Sequence, residues 1–166
     1  MATDQSPREK VFELLTAFDT AMMVTHAPSG PLDCRPMHIA RVDRDGSLWF
    51  ITSSEGQTAF EINKDAEVLL VMQEDQRRYL SIVGRGSVID DRRRVQDLWR
   101  EPYRTWFPKG PDDRNLVLIL VRPDSAEYWD TAGMNKLRYL FEAARAYATG
   151  TRPHIDEPDQ HGATKL

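Results

Sequence analysis

The sequence predicts a mainly β fold, a small antiparallel barrel or sandwich with flanking helices. Three observations favour this fold: six or seven short strand-like segments, turn residues between them, and no regular alternation of strands with helices. That alternation would be needed for a doubly wound parallel sheet. The chain has 166 residues, which is typical of one domain. We expect residues 1–150 to form this domain and the polar, proline-containing residues 151–166 to be a mobile tail.

The first element is a helix that begins at a capping box. Ser6 is predicted as its N-cap, Pro7 as its first residue and Glu9 as the reciprocal partner of Ser6. One apolar face follows at helical spacing, made of Val11, Leu14, Leu15 and Phe18. We therefore expect this helix to pack on the rest of the domain through that face.

The remaining elements follow from period, turn residues and composition. Strands are predicted over residues 20–26, 33–42, 47–52, 67–73, 79–89, 115–121 and 125–129, and helices over 57–64, 90–99 and 134–149. Pro36 lacks a backbone donor, so its strand should lie at an edge or carry a bulge. Gly84 and Gly86 indicate a bulge or tight bend in theirs.

Composition excludes several classes of protein. The longest apolar run, residues 116–121, is six residues long, whereas a membrane-spanning helix needs about 20. Residues 1–10 contain no apolar stretch, so we expect no secretory signal. The 26 acidic against 22 basic side chains argue against nucleic-acid binding. Cys34 is the one cysteine and cannot form an internal disulfide, which fits a cytoplasmic location.

Two segments predict a site for a phosphorylated ligand. Arg35 lies on a strand beside Pro36, where a guanidinium and an unpaired strand edge could contact a phosphate. Thr52, Ser53 and Thr58 surround a predicted helix start, where free amides and hydroxyls bind anions. A plain helix cap would use the same residue types. Four scattered histidines predict no metal site, and no residue pair identifies a catalytic nucleophile and its base.

A family resemblance covers nearly the whole chain, from the first helix to Gly150. Its motifs in chain order are RPM, LWFIT, FEINKDAEV, YLSIVGRGSVIDD, LWREPYRTWFPKGPDD and LVLILVRPDSAEYWD. With these motifs the chain resembles the general-stress-protein branch of the pyridoxamine 5′-phosphate oxidase-like FMN-binding proteins. The resemblance implies a six-stranded antiparallel split β-barrel. It also implies a homodimer that binds FMN in two grooves between the subunits.

The resemblance also implies which residues hold FMN. Family members bind the phosphate and ribityl chain with the RPM strand, with the threonine that ends the LWF-type strand, and with the polar turn after it. The corresponding positions here are Arg35, Pro36, Met37, His38, Ile51, Thr52 and Ser53, and Trp106 is expected near the flavin or the dimer groove. Thr58 occupies the position of a family lysine, so a charge-assisted phosphate contact becomes a neutral one, about half as strong.

The sequence therefore predicts an FMN-dependent oxidoreductase or flavin reductase linked to a stress response. Two alternatives remain open at this point. The fold could bind or sense FMN, or another phosphorylated ligand, without turnover, which the missing lysine favours. A deazaflavin coenzyme could also replace FMN, as in other proteins of this fold.

Overall fold

A computed structural model describes residues 6–74, 77–130 and 161–166. Its three helices are α1 (Pro7–Leu15), α2 (Gln57–Lys64) and α3 (Arg92–Leu98), and a 3₁₀ helix covers Glu101–Thr105. The strands are β1 (Thr20–His26), β2 (Leu32–His38), β3 (Arg41–Val42), β4 (Leu48–Ser53), β5 (Glu67–Glu74), β6 (Arg78–Ile89), β7 (Leu116–Asp130) and β8 (His161–Lys165).

The described strands form one antiparallel sheet, which curls into a split barrel. The strand order is β2-β1-β5-β6-β7-β4-β3, and β8 pairs with β7. The long strand β7 changes partner along its length, because its first half pairs with β4 and its second half with β8. The sheet curls until β2 and β4 approach one another without pairing. This curl confirms the predicted split-barrel fold, although the strand count exceeds the expected six.

Two apolar clusters stabilise the fold, one on each side of the β4–β7 pair. The inner cluster fills the barrel and includes Phe50, Leu70 and Ile82 together with the buried face of α1. The outer cluster lies under α3 and the 3₁₀ helix, and includes Trp49 and Leu118. Both β4 and the first half of β7 are therefore buried on both faces, which explains their continuous apolar runs.

Local signals placed several elements correctly. The capping box is confirmed, because the Glu9 amide donates to Ser6 Oγ at 3.3 Å and the Ser6 amide donates to Glu9 Oε2 at 2.9 Å. Helix α2 covers the predicted residues 57–64. Strand β2, which contains Pro36, pairs only with β1 among the described strands and is an edge strand as predicted. The sheet register shifts between Val83 and Gly84, which confirms the predicted bulge.

Three predictions differ from the structure. Residues 33–42 form two strands rather than one, because residues 39 and 40 leave the β1 pairing and the Ala40 amide bonds to the Trp49 carbonyl. Residues 116–130 form one strand, since Arg122–Asp124 stays extended opposite the bulge in β6. Residues 161–165, expected in a mobile tail, form β8.

Strand β8 needs no apolar side chains to pair, because backbone groups of β7 supply its partners. Gly162 lies against the Tyr128 side chain, where a Cβ would come within 2.7 Å of two ring carbons and the hydroxyl oxygen. The predicted helix over 134–149 lies outside the described residues. None of the helices in the described ranges is long and apolar enough to cross a membrane.

Candidate functional site

The RPM segment lies on β2, whose side chains alternate between the two faces of the sheet. Arg35 and Met37 are half-buried on one face, and Met37 packs against the inner cluster. Pro36 and His38 are exposed on the opposite face. The strand therefore divides the predicted set, and only Arg35 and Met37 point toward the barrel interior and α2.

The Arg35 guanidinium is held by two buried partners. Its Nη1 donates to Thr25 Oγ1 at 2.6 Å, and its Nη2 donates to Glu61 Oε2 at 2.8 Å. Thr25 on β1 and Glu61 on α2 are both fully buried, whereas the Arg35 side chain is 20% exposed. A guanidinium has five N–H donors, so three lie outside these two bonds, and Nη2 also lies 3.6 Å from Asp33 Oδ2. Arg35 is thus fixed in place and still able to bind an anion.

The first turn of α2 adds backbone donors to this region. Helix α2 begins after Gly56, which provides no side-chain cap, so the amides of the first turn point outward without such an acceptor. Thr52, Thr58 and Gly56 lie together, since Thr52 Oγ1 is 3.7 Å from the position of a Gly56 Cβ and Thr58 is in the first turn. The Ser53 carbonyl accepts the Gly56 amide at 3.0 Å, and Ser53 Oγ accepts the Glu55 amide at 3.3 Å. The structure therefore gathers Arg35, Thr52, Ser53 and Thr58 around α2.

The other predicted residues lie elsewhere. Ile51 points into the outer apolar cluster, so its side chain packs against apolar residues and offers a ligand no polar atom. The exposed His38 ring meets Tyr103 edge-on, with the ring centroids 5.3 Å apart. Trp106 follows the 3₁₀ helix and is 71% exposed. The Tyr103 hydroxyl is buried without a hydrogen-bond partner among the described residues, and burial raises its pKa.

Sequence reasoning missed the carboxylates around Arg35. Gln57 Nε2 donates both to Asp33 Oδ2 at 2.5 Å and to Glu61 Oε1 at 2.8 Å, so this amide joins β2 to α2. The available signal was the position of Glu61 beside Ile62 on the buried face of α2, where an acidic residue needs a partner. Its partner Arg35 is 26 residues away in the chain, so spacing could not identify it.

The two carboxyl groups have opposite pKa shifts. Burial pushes the pKa of Glu61 upward, but hydrogen bonds, with Thr25 foremost and Arg35 among them, outweigh burial and hold it below its ordinary value. The hydrogen bond with Glu61 raises the pKa of Asp33, with burial and the Glu61 charge adding and the Arg35 charge opposing. Asp33 is therefore the carboxyl group that takes a proton first.

Metal-binding residue types do not cluster at this site. Across residues 6–74, 77–130 and 161–166, no three His, Cys, Asp or Glu side chains are placed to share one metal ion. The polar groups gathered here are the Arg35 guanidinium, which faces the Glu61 and Asp33 carboxylates at 2.8 and 3.6 Å, the first-turn amides of α2 and the threonine and serine hydroxyls.

The curled antiparallel sheet defines the class of split-barrel proteins. Residues 6–154 match the model of the family described as pyridoxamine 5′-phosphate oxidase like, and the chain belongs to that family. No curated protein matches the chain by sequence.

Solved structures agree with this fold. The general stress protein 26 of Bacillus anthracis str. Sterne is 20% identical, with a TM-score of 0.65 over 73% of this chain and 92% of that one. A general stress FMN/FAD binding protein of Xanthomonas citri is 23% identical, with a TM-score of 0.61 over 72% and 84%. A pyridoxamine 5′-phosphate oxidase-related, FMN binding protein of Nostoc punctiforme PCC 73102 is 16% identical, with a TM-score of 0.56 over 95% and 91%.

Proposed function

We propose that this protein binds FMN and acts in the cytoplasm as a flavin-dependent oxidoreductase or flavin reductase in a stress response. One observation carries the proposal: Arg35, fixed by Thr25 and Glu61 with three donors outside those two bonds, lies beside α2, whose first turn has no side-chain cap. A helix N-terminus and a guanidinium are both suited to a phosphate monoester. Family membership and relatives named for FMN or FAD binding support the same cofactor.

The residues present fit the phosphate end of FMN. Gly56 allows the tight turn before α2, because a Cβ there would lie 3.0 Å from the Ser53 carbonyl oxygen, and this turn brings Thr52 and Ser53 next to the first turn of the helix. Arg35, Thr52, Ser53 and Thr58 would donate to the phosphate oxygens. Pro36, Met37, His38 and Trp106 would line the rest of the cofactor on either side of β2. The flavin itself would supply hydride or electron transfer at N5, and the chain would bind and orient it.

Binding without turnover is the second candidate function. It is favoured by the charges near Arg35, since Asp33 and Glu61 offset this cation and Thr58 adds none. A site with little positive charge holds a phosphate weakly, which suits a protein that senses FMN. Rapid reduction of the bound FMN by NAD(P)H would support the oxidoreductase, whereas bound FMN that resists reduction would support the sensor.

The cofactor is tested by titrating the purified protein with FMN and following the visible absorption spectrum. We expect saturable spectral shifts at micromolar FMN, and weaker shifts with riboflavin, which lacks the phosphate. Absence of any shift at tens of micromolar FMN would contradict the proposal.

Thr58→Lys is expected to tighten FMN binding about tenfold, because a charge-assisted hydrogen bond replaces a neutral one. The same variant should melt at a lower temperature without FMN, since Thr58 is 6% exposed and lysine brings a longer, charged side chain into this packed position, where it also opposes the helix dipole. Titrations of FMN into wild type and variant at one salt concentration measure the ratio of their two dissociation constants. Thr16→Lys, at the exposed end of α1, adds the same charge elsewhere and should leave FMN affinity unchanged. Equal affinities for wild type and Thr58→Lys would place the phosphate elsewhere.

We further propose that the protein is a homodimer. Neighbouring strands carry exposed and half-buried apolar side chains on one outer face of the barrel, in two cross-strand rows. The first row is Pro36, Met22 and Val71, and the second is Cys34, Val24, Leu69 and Val83. A contiguous apolar face of this kind is typical of a subunit interface.

Met22→Glu is expected to convert the dimer to a monomer, because it buries a charge at the centre of that face. Sedimentation velocity over a range of protein concentrations measures the change. Phe60→Glu, at an exposed position on α2, is the matched control and should remain dimeric. A monomeric wild-type protein would refute the homodimer.

A further inference from the structure

Two carboxyl groups converge on one amide and one guanidinium beside the proposed phosphate site. Gln57 Nε2 lies 2.5 Å from Asp33 Oδ2 and 2.8 Å from Glu61 Oε1. Arg35 Nη2 lies 2.8 Å from Glu61 Oε2 and 3.6 Å from Asp33 Oδ2. Because both carboxyl groups reach the same two nitrogen atoms, Asp33 and Glu61 are direct neighbours. When both are ionised, this trio of Asp33, Glu61 and Arg35 has a net charge of −1.

The surrounding elements supply little further charge. On β1, Thr25 bonds to Glu61, and His26 lies 3.7 Å from Glu67. On α2, the Lys64 ammonium group lies over the Phe60 ring, 5.7 Å from its centroid. Strand β4 contains no ionisable residue, and Glu55 follows it in the turn before α2. The charge met by an anion at Arg35 is therefore set mainly by the two carboxyl groups and the guanidinium.

We propose that Asp33 and Glu61 determine the ligand charge that the Arg35 site accepts, so that a phosphate dianion binds there together with one proton, taken up by Asp33. This inference rests on the proposed FMN site and adds a rule for its selectivity. Two neighbouring carboxylates already repel one another, and a third anion raises the cost of keeping both ionised. Glu61 is fully buried and held by Thr25, Gln57 and Arg35, so it stays ionised. Asp33 is half-buried and can exchange its proton with solvent.

The consequence is a pH-dependent affinity. Binding that takes up one proton weakens by at most about tenfold for each unit of rising pH. A neutral ligand such as riboflavin brings no charge to the site and should show no such dependence. The phosphate of FMN itself titrates at about pH 6, so the contribution of Asp33 has to be separated by comparison with a variant.

The test compares FMN binding by wild type and by Asp33→Asn from about pH 5.5 to 8.5, a range that brackets the phosphate titration. The amide oxygen of the introduced asparagine can still accept from Gln57, while the exchangeable carboxyl group is removed. Calorimetric titrations in two buffers of different ionisation enthalpy, both free of phosphate, count the protons taken up. We expect wild type to take up a proton and to lose affinity as pH rises. Asp33→Asn should take up fewer protons and bind FMN more tightly at the alkaline end of the range.

A matched control removes one negative charge elsewhere. Asp97→Asn, on the exposed face of α3, should behave as wild type in both affinity and proton uptake. A change in this variant equal to that in Asp33→Asn would mean that overall charge, rather than the Asp33 carboxyl group, governs the pH dependence, and would overturn the inference.

The outcomes separate this inference from the proposed function. If wild type and Asp33→Asn bind FMN with the same pH dependence and the same proton uptake, Asp33 is not the linked group and the inference fails alone. If neither protein binds FMN at any pH, the proposed function fails and the inference fails with it. A steeper pH dependence in wild type than in Asp33→Asn supports both.

Discussion

Replacing Arg35 by methionine is expected to lower the free energy of unfolding by about 3–5 kcal/mol, because it leaves the fully buried Glu61 carboxylate without its cation. Chemical denaturation of wild type and variant at neutral pH measures the difference. Arg35 is thus proposed both to bind the ligand and to stabilise the fold. Loss of FMN binding in an Arg35 variant is informative only when circular dichroism shows that the variant is folded.

Glu61→Gln should cost less, about 1–2 kcal/mol, because glutamine can keep the hydrogen bonds and Arg35 is partly exposed to water. The double variant Arg35→Met/Glu61→Leu should regain much of the stability, since it removes the whole buried pair. A stability cost for Arg35→Met no greater than the cost for Glu61→Gln would contradict the stabilising role of the Arg35–Glu61 ion pair.

The effect of Arg35→Met should depend on pH. In wild type the pKa of Glu61 lies below its ordinary value of 4.5, so its stabilising contribution is present above that value and is lost as pH falls through the lowered pKa. Without Arg35, burial would raise the pKa of Glu61 above the unfolded value. The difference in free energy of unfolding between wild type and variant should therefore become smaller as pH is lowered from about 8 to about 5. Denaturation at both pH values tests this, and a constant difference would contradict it.

Gly84→Ala is expected to destabilise the protein by about 3 kcal/mol, the second largest effect of a single change. At the bulge in β6, a Cβ on residue 84 would lie 2.4 Å from the Arg122 carbonyl oxygen and 3.0 Å from the Pro123 Cα. These are backbone atoms of the paired strand β7, so no side-chain rotation relieves the overlap. Thermal and denaturant unfolding both measure the loss.

Two other glycines are matched controls for Gly84→Ala. A Cβ on Gly86 would meet the Val68 and Ile62 side chains at 2.9 and 3.1 Å, and these can shift, so Gly86→Ala should cost only about 1 kcal/mol. A Cβ on Gly30 would meet no atom within 4 Å, so Gly30→Ala should change stability by less than about 0.5 kcal/mol. A cost at Gly84 no greater than the cost at Gly86 would contradict the close approach of β6 and β7.

Some residues of the predicted site have positions that follow from their neighbours in the chain, whereas the surroundings of others are set by residues distant in the sequence. The positions of Thr58 and Ser53 beside the start of α2 follow from local sequence, because the helix start lies within a few residues of both. For Arg35 the sequence predicted a contact with phosphate. In the structure Arg35 also forms an ion pair with Glu61, and its bonds to Thr25 and Glu61 use two of its five hydrogen-bond donors. The family resemblance implied Ile51 together with Thr52 and Ser53. Alternation along β4 turns its side chain into the outer cluster instead.

By itself, the sequence determined the mainly β class, the capped first helix, the position of α2, the bulge at Gly84 and, through its motifs, the family. These features arise from contacts between residues close in the chain, or from patterns that each strand carries alone. Only the tertiary structure decided that β7 is continuous, that residues 161–165 pair with it, and that Asp33, Arg35 and Glu61 meet. Those outcomes depend on backbone pairing and on charges brought together across the barrel, and neither leaves a local pattern in the chain.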